Sequence, residues 1–238
     1  MTRHFGVLIP STNTTVEIEY TRLLPEDWQA HYARMLSMTA GQSPFSPPRD
    51  EDVDYQARLL GTAKVEIVIL IQTSASLFAD DYDARVVPRI AAAAGVPALT
   101  SAMAIGEAMQ ALGTRQIALV SPYSPEVNQR AQRYYEEKCG LSVVAVEGFA
   151  ATDAYAIGKL GPELARDAFA RIDRPEIEAF VVPGGNFPTM RSIPAWEAEF
   201  NKPVVTTNQA SFWAMLTILK AGDKVPGYGR LLAEVPAG

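Results

Sequence analysis

Cysteine is almost absent from this chain. Cys139 is the only thiol in 238 residues, which excludes an internal disulfide. His4 and His31 are the only histidines; with no cysteine or second histidine clustered near them, no metal site is expected. Basic charge is in deficit: 21 lysines and arginines face 27 acidic residues, a net charge of -6. Scattered bases and a pI near 5.1 argue against a nucleic-acid or anionic-membrane surface, although small anions can still be held locally. No apolar run reaches membrane-spanning length and the first residues lack a signal-type stretch, so a soluble cytoplasmic protein is expected. There is no phosphate-cradling glycine loop. Gly184-Gly185-Asn186 lacks the lysine and spacing of a nucleotide site, and no cofactor is expected.

Apolar residues are plentiful, at 48%, enough to bury a core in one large domain or two small lobes. Val65 to Ile71 is a short β-branched run that stops at Gln72-Thr73-Ser74, as a buried parallel strand delivers polar groups to a sheet edge. Glu178 to Asn186 repeats the design 112 positions later, with Gln72 opposite Gly184. The same offset lays Phe5 to Ser11 over Ile117 to Tyr123. A duplicated α/β unit is the consequence.

In chain order, a strand over 5–9 leads through Ser11-Thr12-Asn13-Thr14-Thr15, rich in caps and backbone donors suited to an anion, into a helix over 16–24. A strand over 29–36 precedes a proline-rich loop, Gly41 to Pro48, able to cover a cleft. A helix over 50–63, the central strand 65–71, a helix over 79–94, a strand over 96–99 and a connecting helix over 101–112 complete the first half. The second follows the same order: strand 116–120, helix 125–138 after the Ser124-Pro125 cap, strand 142–147, a loop over 149–153, helix 161–172, strand 179–183, helix 193–200 and strand 203–206. A last helix over 210–219 and a tail over 222–238, expected to pack rather than fold alone, close the chain. This alternation implies an α/β fold of short parallel sheets flanked by helices; if the two copies face each other across a pseudo-twofold axis, they form two pseudo-twofold-related lobes with the active-site cleft between them. Residues 1–98 with 207–238 form the first lobe and 99–206 the second. Ligands of such sheets sit beyond the carboxyl ends of the strands, where Ser11, Gln72, Tyr123 and Gly184 are expected to converge.

Several motifs share their order with a known group. The loop Ile9-Pro10-Ser11-Thr12-Asn13-Thr14-Thr15, the segment Gly113 to Val120 continuing through Tyr123 to Asn128, the pair Gly184-Gly185, Phe212-Trp213 and the tail Pro226 to Leu231 are the residues concerned. On them the sequence resembles the aspartate/glutamate racemase superfamily, and within it the maleate cis-trans isomerase and arylmalonate decarboxylase branch. The resemblance implies a thiol at the end of one or both central strands. Those positions hold Gln72 and Gly184, and neither an amide nor a hydrogen atom exchanges a proton at neutral pH. Cys139 falls at the wrong end of a helix to substitute.

The resemblance also implies a carboxylate-binding array: the hydroxyls of Thr73 and Ser74, the phenol of Tyr123 and the backbone N–H at Gly185, aimed at an enediolate. Pro10, Ser11, Asn13, Gln72, Gly184 and Asn186 are expected around the substrate. Several have a plainer alternative: Thr73, Ser74 and Asn13 as helix caps, Gly184-Gly185 as a tight turn, and Tyr123 as a packing aromatic. Gln72 needs either a structural network or a substrate to satisfy its amide, and the missing side chain at Gly184 is expected to enlarge the pocket. Proton return falls to Tyr123, a water or Glu17. The expected function is a cofactor-independent lyase or isomerase acting on a small carboxylate or dicarboxylate; the alternative is a non-catalytic carboxylate sensor or accessory protein. A homo-oligomer is left open.

Overall fold

The computed structural model describes residues 2–36, 48–222 and 224–236. Of the expected loop over 41–48, residues 41–47 lie outside that description. The first half contains strand β1 (Arg3–Pro10), helix α1 (Val16–Leu23), β2 (Trp28–Met35), α2 (Val53–Thr62), β3 (Val68–Leu70), α3 (Tyr82–Ala94), β4 (Ala98–Thr100) and α4 (Ser101–Ala111). The second contains β5 (Gln116–Ser121), α5 (Pro125–Cys139), β6 (Ser142–Gly148), α6 (Ala154–Ile157), α7 (Pro162–Ile172), β7 (Ala179–Val182), α8 (Ile193–Phe200), β8 (Val204–Thr206) and α9 (Thr207–Ile218), followed by α10 (Arg230–Glu234).

Two four-stranded sheets result, ordered β2-β1-β3-β4 and β6-β5-β7-β8, and every strand pair is parallel. The register repeats as well as the order. Gly6 pairs with Val68 in the first sheet, and Ala118 with Phe180, each 112 positions later, in the second. The offset drifts further out. Val68 pairs with Ala98, whereas Phe180 pairs with Val204, only 106 positions beyond Ala98.

Local chemistry accounts for the element ends. Ser124 accepts the N–H of Val127 ahead of Pro125, and Gly140 takes a left-handed conformation (φ 67°) after Cys139, so α5 is capped at both ends. Gln209 Oε1 reaches back to accept the Thr206 N–H at 3.3 Å, and α9 starts at Thr207, three residues before the expected Ala210. The central strand is shorter than its apolar run suggests: its pairing with both neighbours begins only at Val68 and ends at Leu70, and the chain enters a 3-10 turn over Thr73–Leu77. Short helices α6 and α10 are further additions.

The helices that close each half meet each other, α4 packing on α9. Residues Thr207 to Leu216 of α9 are all buried, the mark of a helix enclosed on every side. Its Phe212 lies among Phe5, Tyr20 and Trp28, with ring centroids about 6 Å apart, and burial of such a ring contributes about 2–3 kcal/mol. The tail packs as expected: Leu231 and Leu232 are buried, and the Gln209 amide donates to the carbonyl of Tyr228 at 2.6 Å.

Candidate active site

Beyond Leu70 the chain delivers Thr73 into a buried cluster of hydroxyls. Thr73 Oγ1 lies 2.9 Å from Ser101 Oγ and 3.1 Å from Thr207 Oγ1, and all three residues are buried. Ser101 and Thr207 are the first residues of α4 and α9, each following a strand-ending threonine at the N-cap position, where the Thr100 hydroxyl accepts the N–H of Met103. Thr207 also accepts the N–H of Gly184 at 2.8 Å. The ends of β3, β4, β7 and β8 are thus joined through hydroxyl oxygens.

Tyr123 reaches the same cluster from β5. Its phenol interacts with the Thr73 side chain, and burial pushes its pKa well above the usual tyrosine range, the Thr73 hydrogen bond opposing this. The phenol is therefore protonated throughout the physiological range and acts as a donor. The turn carrying it is held on every side. Ser121 Oγ accepts the Tyr123 N–H at 3.1 Å and donates to Asn128 Oδ1 at 2.6 Å. The N–H groups of Phe149, Ala150 and Ala151 bind the carbonyls of Ser121, Tyr123 and Pro122. Gly148 makes room for Asn128, whose amide nitrogen would lie 2.1 Å from a Cβ there.

Gly184 to Phe187 forms a tight turn closed by the Phe187 N–H on the Gly184 carbonyl at 2.9 Å. Gly184 has φ 115°, a conformation that side chains of L-residues rarely adopt. The structure corrects the expectation of an enlarged pocket: a Cβ at Gly184 would meet Pro122 Cγ at 2.9 Å. The proline ring fills that space. The N–H groups of Gly185 and Asn186 have no acceptor among the described residues, so this turn presents two adjacent backbone donors beside Tyr123. Buried Glu19 braces it from α1, accepting the N–H groups of Thr189 and Met190 at 2.8 and 3.0 Å and the amide of Asn208 at 2.6 Å.

The loop after β1 lies against the same turn. Asn13 is buried, and its Oδ1 accepts the N–H groups of Thr15 and Val16 at 2.9 and 3.0 Å, capping α1. Thr14 N–H donates to Asn186 Oδ1 at 2.8 Å, while Asn186 Nδ2 donates to the carbonyl of Ala154. The Asn186 amide therefore latches the two halves together. Pro10 is half-buried at the strand end and Ser11 is exposed, with its carbonyl, like that of Asn13, held by Arg34. Arg34 also pairs with Glu17. Gln72 and Ser74 are half-buried, and neither side chain has a hydrogen-bond partner among the described residues.

Sequence reasoning missed Ser101, Thr207, Asn208, Asn128 and Glu19. The signal for the first two was present: Thr100-Ser101 and Thr206-Thr207 are polar pairs 106 positions apart, each after a short strand. Cys139 ends α5; its thiol lies against Gly106 of α4, has no hydrogen bond to the hydroxyl cluster among the described residues, and is raised to about 11 by burial. Among the described residues there is no group of three or more metal-ligating side chains and no helix long and apolar enough to cross a membrane.

Comparison with known proteins covers the whole of this architecture. A family model described as arylmalonate decarboxylase matches residues 5–232. An arylmalonate decarboxylase of Bordetella bronchiseptica is 29% identical over 96% of both chains, and a maleate isomerase of Pseudomonas putida is 28% identical over 96% of both. A crystal structure of a cysteine-to-alanine variant of the maleate isomerase from Pseudomonas putida S16, with maleate, superposes on the complete chain with a TM-score of 0.92 at 25% identity, all of that chain being covered. A liganded double mutant of arylmalonate decarboxylase superposes with a TM-score of 0.80 at 26% identity, over 98% of this chain and 100% of that one.

Proposed function

This chain belongs to the arylmalonate decarboxylase family, and from that premise we propose that it is a thiol-free lyase that removes carbon dioxide from a small malonate-type dicarboxylate through an enediolate. One observation supports the reading above others: the Tyr123 phenol, the Thr73 hydroxyl and the unpaired N–H groups of Gly185 and Asn186 are gathered at one junction, with Thr207 tying Thr73 to Gly184. Fixed donors of this kind stabilise negative charge that develops on a carboxylate, because they need no reorganisation when it appears.

The retained carboxylate would accept from Tyr123, from Ser74 and from the backbone donors at Gly185 and Asn186. The bond between the α-carbon and the departing carboxylate breaks, carbon dioxide leaves, and the electron pair passes into the retained carboxylate as an enediolate. A proton then returns to the α-carbon. Gln72 and Gly184 have no exchangeable acid to supply it, Glu17 is ion-paired with Arg34, and the Tyr123 phenol, whose ionisation burial opposes, stays with the retained carboxylate, so solvent water is the donor and the hydroxide it leaves combines with the released carbon dioxide as bicarbonate. Thr73 acts by holding the Tyr123 hydroxyl, while Pro10, Ser11 and Asn13 shape the facing wall. The lobe division after residues 98 and 206 fits the same reading, since Phe212 of α9 packs into the first half.

Proton NMR in heavy water tests this with a panel of aryl- and alkylmalonates, maleate, aspartate, glutamate and hydantoins. Loss of a malonate with deuterium entering at the α-carbon supports the lyase; conversion of maleate alone replaces it with an isomerase; silence over the panel favours binding without catalysis.

A further inference from the structure

Glu19 is a buried acid in the first half whose partners all lie in the second. One carboxylate oxygen accepts the N–H groups of Thr189 and Met190. The other accepts Asn208 Nδ2, which also donates to the carbonyl of Gly185 at 3.1 Å. Tyr20, the next residue on α1, donates its hydroxyl to the Asn208 carbonyl at 3.1 Å. Asn208 Oδ1 is buried without any partner, so the orientation of the amide is set by the two acceptors of its Nδ2, the Gly185 carbonyl and the Glu19 carboxylate, of which the charged carboxylate is the stronger.

That selection has a consequence one peptide further on. A trans peptide is planar, with its C=O and N–H pointing in opposite directions. With the Gly185 carbonyl held towards Asn208, the Asn186 N–H of the same peptide unit must point away from it, and that N–H has no acceptor among the described residues. We propose that Glu19, acting through Asn208, is the positioning residue that aims the Asn186 N–H as an anion donor. It is not a catalytic residue, since its carboxylate is fully occupied by the protein.

The inference deepens the carboxylate-site reading above and rests on it only for what the donor binds. In Glu19→Gln the oxygen of the introduced amide still serves Thr189 and Met190, leaving its NH2 facing Asn208 Nδ2. Two donors cannot face each other, so the Asn208 amide rotates to offer its unpaired Oδ1 and withdraws Nδ2 from Gly185. In the double variant Glu19→Gln/Asn208→Asp the strut is rebuilt with reversed polarity, but the Gly185 carbonyl still has no donor. Strut and aim are thereby separated.

The test uses NMR of the labelled full-length protein with malonate as the probe. Glu19→Gln is expected to shift the Gly185 carbonyl carbon upfield and to weaken malonate binding about tenfold or more, the range for a hydrogen bond to a charged group. The double variant should recover melting temperature without recovering binding or the carbon shift. Glu197→Gln, another buried acid, whose partners are the N–H groups of Val204 and Arg230, should leave both readouts unchanged. An unaltered Gly185 carbon shift in Glu19→Gln, or malonate binding restored in the double variant, would overturn the positioning role. Malonate that leaves the Gly185 and Asn186 amides of the unmodified protein undisturbed would instead sink the carboxylate-site reading, while the carbon shift still decides whether Glu19 sets the peptide.

Discussion

Thr73 and Thr207 face each other across the junction of the two sheets, their hydroxyl oxygens 3.1 Å apart. Thr73 follows the central strand of the first sheet, and Thr207 opens the helix after the last strand of the second. A hydroxyl has one proton and two lone pairs, so Thr207 Oγ1 can accept from Gly184 N–H while donating to Thr73. Thr73 then remains an acceptor for Tyr123 or a donor to it. This one contact couples the phenol to the turn that carries the free backbone donors.

Thr207→Val preserves shape and removes the hydroxyl, leaving the Gly184 N–H and Thr73 each one partner short. A loss of about 1–3 kcal/mol in urea denaturation is expected, and Thr207→Ser should recover most of it. Equal stability of the valine and serine variants would remove the hydroxyl bridge from the account.

Tyr123→Phe keeps the ring, which is held by packing and by the backbone of the Ser121–Ser124 turn. Turnover should fall about 100-fold or more, the scale of losing one donor to an oxyanion, while stability changes by roughly 1 kcal/mol. Comparing kcat with the chemical-denaturation midpoint separates the two. A variant that keeps its rate would demote Tyr123 to a packing residue.

Placing a thiol at Gly184 should not convert the protein into a racemase. The φ of 115° and the Pro122 ring together oppose a Cβ there, so Gly184→Cys is expected to lose about 1–3 kcal/mol through backbone strain. Its α-proton exchange on aspartate or glutamate in heavy water should match that of the parent protein. Rapid exchange would show that the turn readjusts freely.

Cys139 is raised to about 11 by burial, with Asp83 and Glu107 adding to the effect. A raised thiol is neutral below that value and ionises only as the pH climbs through it, so at pH 8 roughly one thiol in a thousand is thiolate. Alkylation by iodoacetamide should be slow at pH 7–8 and accelerate about tenfold per pH unit towards 10. A plateau reached near pH 9 would contradict the burial.

Much of this was legible in the sequence because strand pairs repeat together. Phe5 to Ser11 and Val65 to Ser74 recur at one offset, so the order and register of the inner strands could be read directly. The outer strands could not, since the offset falls from 112 to 106 between the inner and last strands, and this concealed the equivalence of Ser101 and Thr207. Glu19 was missed for a different reason: its acceptor role is fixed by backbone groups 170 residues away, which no local pattern announces. Asn13 shows how the alternatives resolve, because its Oδ1 caps α1 whatever its Nδ2 contacts. Gly184 was read as open space, and only the three-dimensional position of Pro122 shows it filled.

The central claim is decarboxylation without a thiol, and Cys139→Ala tests it most directly because that variant contains no thiol at all. Phenylmalonate followed by proton NMR in heavy water should disappear at the same rate with the parent protein and with Cys139→Ala, giving product deuterated at the α-carbon. Loss of turnover in the variant alone, with its fold intact, would show that the reaction needs the thiol and would contradict the account.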